Sequence, residues 1–249
     1  VSVTSFREDY HVHSTFSDDA ESSIEENVAA ARRVGLETIC LVDHVRATTP
    51  WVPQLVEAVD AIRPSADLLV LVGVETKILN AAGDLDLPVG VEALDHILIA
   101  DHQFPSEAGP MSPSAVREML FSGEMDPTEV IEMLLEATVA AMGNVERPVI
   151  AHPFSLLPKV GLDESMISDA HVRHLAAGAR ANAALVEVNE KWNCPGPRLV
   201  ASLTAAGVTM VTGSDAHHCE DVGRYDRVRA NLAEATVPGS REPEKILTP

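Results

Sequence analysis

No apolar run in this 249-residue chain approaches the roughly 18 residues needed to cross a bilayer. The segment from Val1 to Asp9 has none of the basic-then-apolar pattern of a secretory leader. Cysteine is scarce. Cys40, Cys194 and Cys219 are far apart and form no C-x-x-C pair, which argues against a disulfide scaffold and for reduced thiols in a cytoplasmic protein. Positive charge is scarce too: 18 Lys and Arg stand against 38 Asp and Glu, a formal charge of −20 with no basic cluster. That balance excludes a nucleic-acid groove and leaves a solvated acidic surface, part of whose charge bound divalent cations would offset. Repeats and low-complexity segments are also missing. What is present is a 46% hydrophobic fraction on a length sufficient for a substantial core.

Apolar strand-like runs alternate with helical stretches. Strands are expected at 9–13, 38–42, 68–74, 94–100, 148–151, 185–188 and 208–212. Helices are expected at 22–34, 53–62, 113–121, 127–142, 169–183, 197–206 and 226–233. Ser22 or Ser23 is a suitable N-cap for the first helix, and Gly35 stands where that helix should stop. Pro113 and Pro127 suit first helical turns. About seven β–α units suggest a parallel barrel of the TIM type with one unit missing; an open doubly wound sheet is the alternative. The barrel domain is expected to span 1–237. A loose tail, rich in proline and charge, is expected at 238–249. The loop from Phe104 to Ser112 reads as the longest candidate lid near the site.

The chemistry lies at those strand ends. His11 and His13 are two residues apart on a strand and so face the same way. Asp215 and His217 repeat the spacing near the other end of the chain. Between them lie Asp43-His44, Glu75, His102 and His152, each at or just past an apolar run. Convergence of ligands from most strands requires the strands to close into a ring, which favours the barrel. Two histidines buried on one face are costly unless paired, and a metal removes that cost. Glu75 ends an apolar run and needs a cation; Lys77 on the same strand face is the ordinary partner and a metal the other. For Asp215 alone a turn or helix cap would suffice, but that leaves His217 unexplained. His96, His171, His174 and His218 read as structural. Six histidines and three carboxylates exceed the needs of one ion and suit two or three of Zn, Mn or Fe. Paired ions ~3.5–4 Å apart can share a hydroxide and clamp a phosphoryl oxygen.

As a set, Tyr10-His11-Val12-His13-Ser14, Ser17-Asp18-Asp19, Leu41-Val42-Asp43-His44, Gly73-Val74-Glu75, His102, His152-Pro153-Phe154, Glu187-Val188-Asn189 and Ser214-Asp215-Ala216-His217 resemble the motifs of the PHP family, named for polymerase and histidinol phosphatase. The resemblance runs in order from Asp9 to about Gly223. It implies an α/β fold, a distorted TIM-like (β/α)7 barrel in a single domain, with three metals at the C-terminal strand ends. By motif position, His11, His13, Glu75 and Asp215 would hold the first metal. Glu75, His102 and His152 would hold the second, and His44 and His217 the third. The remaining ligand of the third is often a histidine in phosphatase members; here that position is Asp19, with Asp18 beside it. The implied activity is hydrolysis of a small-molecule phosphate monoester by a metal-bound hydroxide, with Asp215 or His217 assisting the leaving group as catalytic residues. Phosphodiester, lactone or amide cleavage is the alternative, and an accessory, non-catalytic domain a third reading. The basic residue that some members carry after His-Pro is replaced here by Phe154-Ser155. Lys77, Arg46, Lys191 and Arg224 are the substrate-binding candidates, and Trp192 is either a pocket wall or a structural plug. The expected partner is a small phosphorylated molecule, with no nucleic acid and no membrane.

Overall fold

A computed structural model describes residues 6–236. The chain runs β1 (Glu8–Val12), α1 (Ile24–Val34), β2 (Thr38–His44), α2 (Val52–Ile62), β3 (Leu69–Lys77), β4 (His96–Ala100), β5 (Phe104–Ser106), β6 (Gly109–Met111), α3 (Pro113–Ser122), α4 (Pro127–Met142), β7 (Pro148–Ile150), α5 (Asp169–Ala181), β8 (Leu185–Asn189), α6 (Pro197–Ala205), β9 (Thr209–Gly213) and α7 (Asp226–Ala235). The tail expected at 238–249 lies outside the described residues. Among them, no helix is long and apolar enough to cross a membrane.

Seven parallel strands pair in the order β1-β2-β3-β4-β7-β8-β9. The two outer strands then turn toward each other. Thr212 Oγ1 donates to Glu8 O at 2.7 Å, and beyond the strands His13 N donates to Ala216 O at 2.8 Å. The sheet is therefore a nearly closed barrel, not the open doubly wound alternative.

Side-chain alternation assigns the two faces. Ile39, Leu41, Val72, Val74, Ile97 and Ile99 point outward into two large clusters against the helices. Cys40, Val42, Leu98, Ala100, Val149, Ala151 and Val211 point inward and form a separate plug. Continuing the inward series past that plug reaches His44 on β2, Glu75 on β3, His102 after β4 and Asp215 after β9. Strands buried on both faces explain why the sequence shows continuous apolar runs rather than alternation.

Local chemistry sets the helix ends. Ser23 and Glu26 form a reciprocal capping box on α1, and Gly35 closes it in the left-handed region at φ 79°. Asp126 and Glu129 do the same for α4. Two expectations fail. The fifth helix stops at Ala181 rather than running on to Ala183, because Ala183 takes φ 50° and cannot continue a right-handed turn. The stretch 104–112 is not a loose loop: β5 and β6 pair antiparallel, and Phe104 is fully buried in the core.

Candidate metal centre

The barrel's C-terminal end carries a ring of imidazoles around one carboxylate. Glu75 Oε2 lies 3.4 Å from His11 Nε2, 3.5 Å from His13 Nε2 and 2.9 Å from His44 Nδ1. Its Oε1 lies 3.1 Å from His102 Nε2 and 2.9 Å from His152 Nε2. Lys77, the ordinary partner on the same strand, takes no part; its long stem carries the charge away to Asp86 at 3.4 Å. His13 Nε2 is 3.6 Å from Asp215 Oδ1. At the outer edge, Asp19 Oδ2 lies 3.4 Å from His44 Nε2 and 3.3 Å from His217 Nε2. His11, His13, Glu75 and His152 are buried, His44, His102 and His217 are partly exposed, and Asp18 and Asp19 face solvent.

These residues fit divalent ions. Glu75 Oε2 is buried without a properly directed hydrogen bond, although three imidazole nitrogens surround it. His11 Nε2 and His13 Nε2 face each other at 3.0 Å, so two lone pairs collide unless one nitrogen carries a proton or both bind a cation. Three overlapping groups have ligand atoms within 4.8 Å of one another: His11-His13-Glu75, His44-Glu75-His102 and His13-His44-His217. Mixed imidazole and carboxylate donors suit Zn, Mn or Fe.

Protonation follows the same geometry. Burial opposes a charge on His11, but Glu187, Asp215 and Glu75 outweigh it and push its pKa well up. Burial and the neighbouring His11 charge push His13 well down. Burial also opposes a charge on His152, yet hydrogen bonds to Asp101 and Glu75 raise it to about 10. His44 is likewise raised by Glu75 against the effect of burial. Burial disfavours the Glu75 carboxylate, but His102 and His11 keep its pKa well below the usual range. Ligation requires neutral imidazoles, so metal and proton compete. Adding Zn or Mn to metal-free protein at pH 7 is therefore expected to release more than one proton per chain, and metal affinity should fall steadily as pH drops from 8 to 6. Titration in weakly buffered dye solution measures the first and equilibrium dialysis the second; uptake without acidification would contradict the raised pKa values of His11, His44 and His152.

A second layer holds the ring. Glu187 Oε1 accepts from His11 Nδ1 and from Asn189 Nδ2, both at 3.0 Å, and its Oε2 accepts the His152 backbone N–H at 2.7 Å. Asp101 Oδ1 takes His152 Nδ1 at 3.2 Å. A carboxylate on the far nitrogen fixes each ring's tautomer and aim. His152 (φ 29°) and Asp215 (φ 56°) lie in the left-handed region, where a non-glycine residue stores strain of about 1–3 kcal/mol. The kink at His152 turns its side chain inward just after β7, where alternation from Ala151 would point it outward. Asp43 belongs to this layer rather than to the ring. It accepts from Ser14 N and Ser14 Oγ at 2.8 and 2.7 Å and from Ser17 N and Ser17 Oγ at 3.1 and 2.8 Å, clamping the loop that carries His13 and Asp19. Buried Asp9 ties Ser214 N and Gly223 N, each at 2.9 Å, and burial pushes its pKa up to about 6.

The substrate candidates separate. Lys191 Nζ reaches Asp215 Oδ1 and His217 Nδ1, each at 3.2 Å. Arg224 pairs with Asp221 at 3.3 Å on the rim of an adjoining cleft. Arg46 is exposed on the turn after β2. Trp192 is half-buried; its Nε1 donates to Asp215 Oδ2 at 2.9 Å, and Lys159 Nζ lies 4.4 Å over its ring. The roles of Glu187, Asp101 and Lys159 do not emerge from the sequence. Glu187 carries the same signal as Glu75, an acid inside an apolar strand. Lys159 carries none, because only the fold brings it to Trp192. The four structural histidines have ordinary roles, as with His174 beside Glu136 at 3.1 Å.

The family model of the PHP domain matches residues 9–137, and the chain belongs to that family. Its relatives include a protein named "probable phosphatase" from Caldanaerobacter subterraneus subsp. tengcongensis, 26% identical over 241 residues, 92% of this chain and 84% of the relative. Another of that name, from Vibrio parahaemolyticus, is 26% identical over 235 residues, 90% of this chain and 82% of the relative. Among solved structures, histidinol phosphate phosphatase from Lactococcus lactis, complexed with zinc, L-histidinol and phosphate, matches with a TM-score of 0.64 at 16% identity, covering 92% of this chain and 94% of that one. At that identity the likeness speaks for the fold.

Proposed function

We propose that this chain is a metal-dependent phosphatase that hydrolyses a small-molecule phosphate monoester at a site of two to three divalent ions. The observation that carries this is one buried carboxylate, Glu75, shared by five imidazoles at the C-terminal mouth of a barrel. Family membership and relatives named as phosphatases support the reading. His11, His13, Glu75 and Asp215 would hold one ion, Glu75, His102 and His152 a second, and His44, His217 and Asp19 a third. When bound, the ions would supply an activated water and the positive charge that phosphoryl oxygens require as the bond breaks. The protein would do the rest. Glu187 and Asp101 keep Nε2 of His11 and of His152 turned toward the ring. Trp192 occupies Asp215 Oδ2, while Asp215 Oδ1 faces both the Lys191 ammonium and His13 of the ring. The Lys191 ammonium stands where it can meet a phosphate oxygen. Asp215 and His217 flank the mouth, where a departing alkoxide would take up a proton.

The test is phosphate release from a panel of phosphomonoesters by protein stripped with chelator and then reloaded with Zn, Mn or Fe. Stripped protein should release none, and reloading should restore turnover. No release by fully loaded protein on any ester would overturn the phosphatase reading; activity on a phosphodiester, lactone or amide instead would redirect it.

A further inference from the structure

Beside the ring, the loop after β8, the turn after β9 and the start of α7 enclose a cleft of about 560 Å³. Asp215 and His217 form the wall it shares with the metal centre, and Lys191, Arg224 and Arg227 line the remainder together with Ser214 and three further acids. Cations are rare in this chain, 18 in 249 residues, yet they make up three of the nine residues lining this space. The acids in the cleft are largely committed. Glu190 accepts the backbone N–H groups of Arg227 and Val228 at 3.0 and 2.9 Å, which caps α7. Asp226 begins α7, where the helix dipole favours it. Asp221 holds Arg224, but both side chains are more than half exposed, and a pair of that kind is weak enough to exchange for a ligand. Arg227 Nη1 donates to Lys191 O at 3.1 Å, a bond that orients the guanidinium without neutralising it.

Lys191, in contact with Asp215 and His217, is placed for the phosphate that is cleaved. Arg224 and Arg227 lie one step outward, where the rest of the substrate must extend. We infer that the cleft binds a second anionic group, so that the substrate is a phosphate monoester whose leaving group bears a carboxylate or another phosphate. This rests on the phosphatase reading and narrows it. Guanidinium forks bind either anion in a bidentate manner. A leaving group bearing an amine would instead bring like charges together.

Non-hydrolysable probes test this without turnover. Calorimetric titration of metal-loaded protein would compare propylphosphonate with 3-phosphonopropionate, 1,3-propanediphosphonate and 3-aminopropylphosphonate. At least one dianionic probe is expected to bind roughly tenfold more tightly than propylphosphonate, and the aminated probe less tightly. Whichever dianion gains more identifies the second group as carboxylate or phosphate. In the double variant Arg224→Gln/Arg227→Gln the ratio should fall to within about twofold, and added salt should erode it in the wild type. Arg224→Glu alone, at an exposed position, should lower the ratio without relying on the double variant folding well. A ratio near one in the wild type, a ratio that survives the double variant, or tighter binding of the amine would overturn the inference. Because the probes are not hydrolysed, a blank phosphate-release assay would sink the phosphatase reading while leaving this result readable.

Discussion

Replacing Glu75 with Gln is expected to cost the protein most of its bound metal and nearly all of its turnover. The substitution keeps the shape and removes one negative charge. Among the described residues, that charge is the only one within reach of His11, His44, His102 and His152 together, at 2.9–3.4 Å. An amide offers one weakly basic oxygen where two ions would need a bridge. Losing several kcal/mol of charge stabilisation corresponds to a fall of about 10³ or more in kcat/KM. Elemental analysis should show at least one equivalent lost relative to wild type. The metal-free fold should also weaken, since raised imidazoles such as His11 would lose a counter-charge inside the barrel. Wild-type metal content in Glu75→Gln would show that Glu75 does not bridge, and the assignment of ligands would have to be redrawn.

Gly213→Ala is the second large effect, at a residue that is not itself a candidate ligand. A Cβ there would land inside the Glu187 Oε1 atom and 2.8 Å from His11 Cβ. Both neighbours are fully buried, and neither is the far end of a flexible exposed chain. Relief requires moving Glu187, and with it the bonds that aim His11 and fix the His152 backbone. Overpacking of a tight interior costs typically about 1–3 kcal/mol, and disturbing the carboxylate behind a metal-binding imidazole lowers metal affinity about 10–100-fold. The expected result is a lower melting temperature together with a weaker metal dissociation constant. Glu187→Gln separates overpacking from loss of the carboxylate: it adds no volume, so it should weaken metal binding, and any fall in the melting temperature of the metal-free protein reports the lost counter-charge of His11 alone. If Gly213→Ala binds metal normally, Glu187 does not govern the ring.

Much of the architecture is legible along the chain because its causes are local. Ser23 and Gly35 announce helix ends through hydrogen bonds within a few residues. Buried parallel strands announce themselves as apolar runs, and Glu75 stands out because an acid closes one. Misreadings arise where distant contacts override local pattern. Phe104 is drawn into the core, which turns an apparent loop into a hairpin. Lys77 follows Glu75 on the same face, but a carboxylate from another segment, Asp86, captures it.

By itself, the sequence determined the kinds of candidate ligand, their position at strand ends and the order of the units, all of which depend on residue type and short-range periodicity. Only the tertiary structure decided how they converge. Closure of β1 onto β9 brings His13 beside Asp215, and the kink at His152 aims a side chain that strand alternation would have left elsewhere. The supporting carboxylates and the cleft that gathers Lys191, Arg224 and Arg227 arise the same way. Glu187 reaches His11 across 176 positions, and Arg227 meets Lys191 across 36. Such pairings depend on barrel curvature and strand register, which no local stretch of the chain encodes.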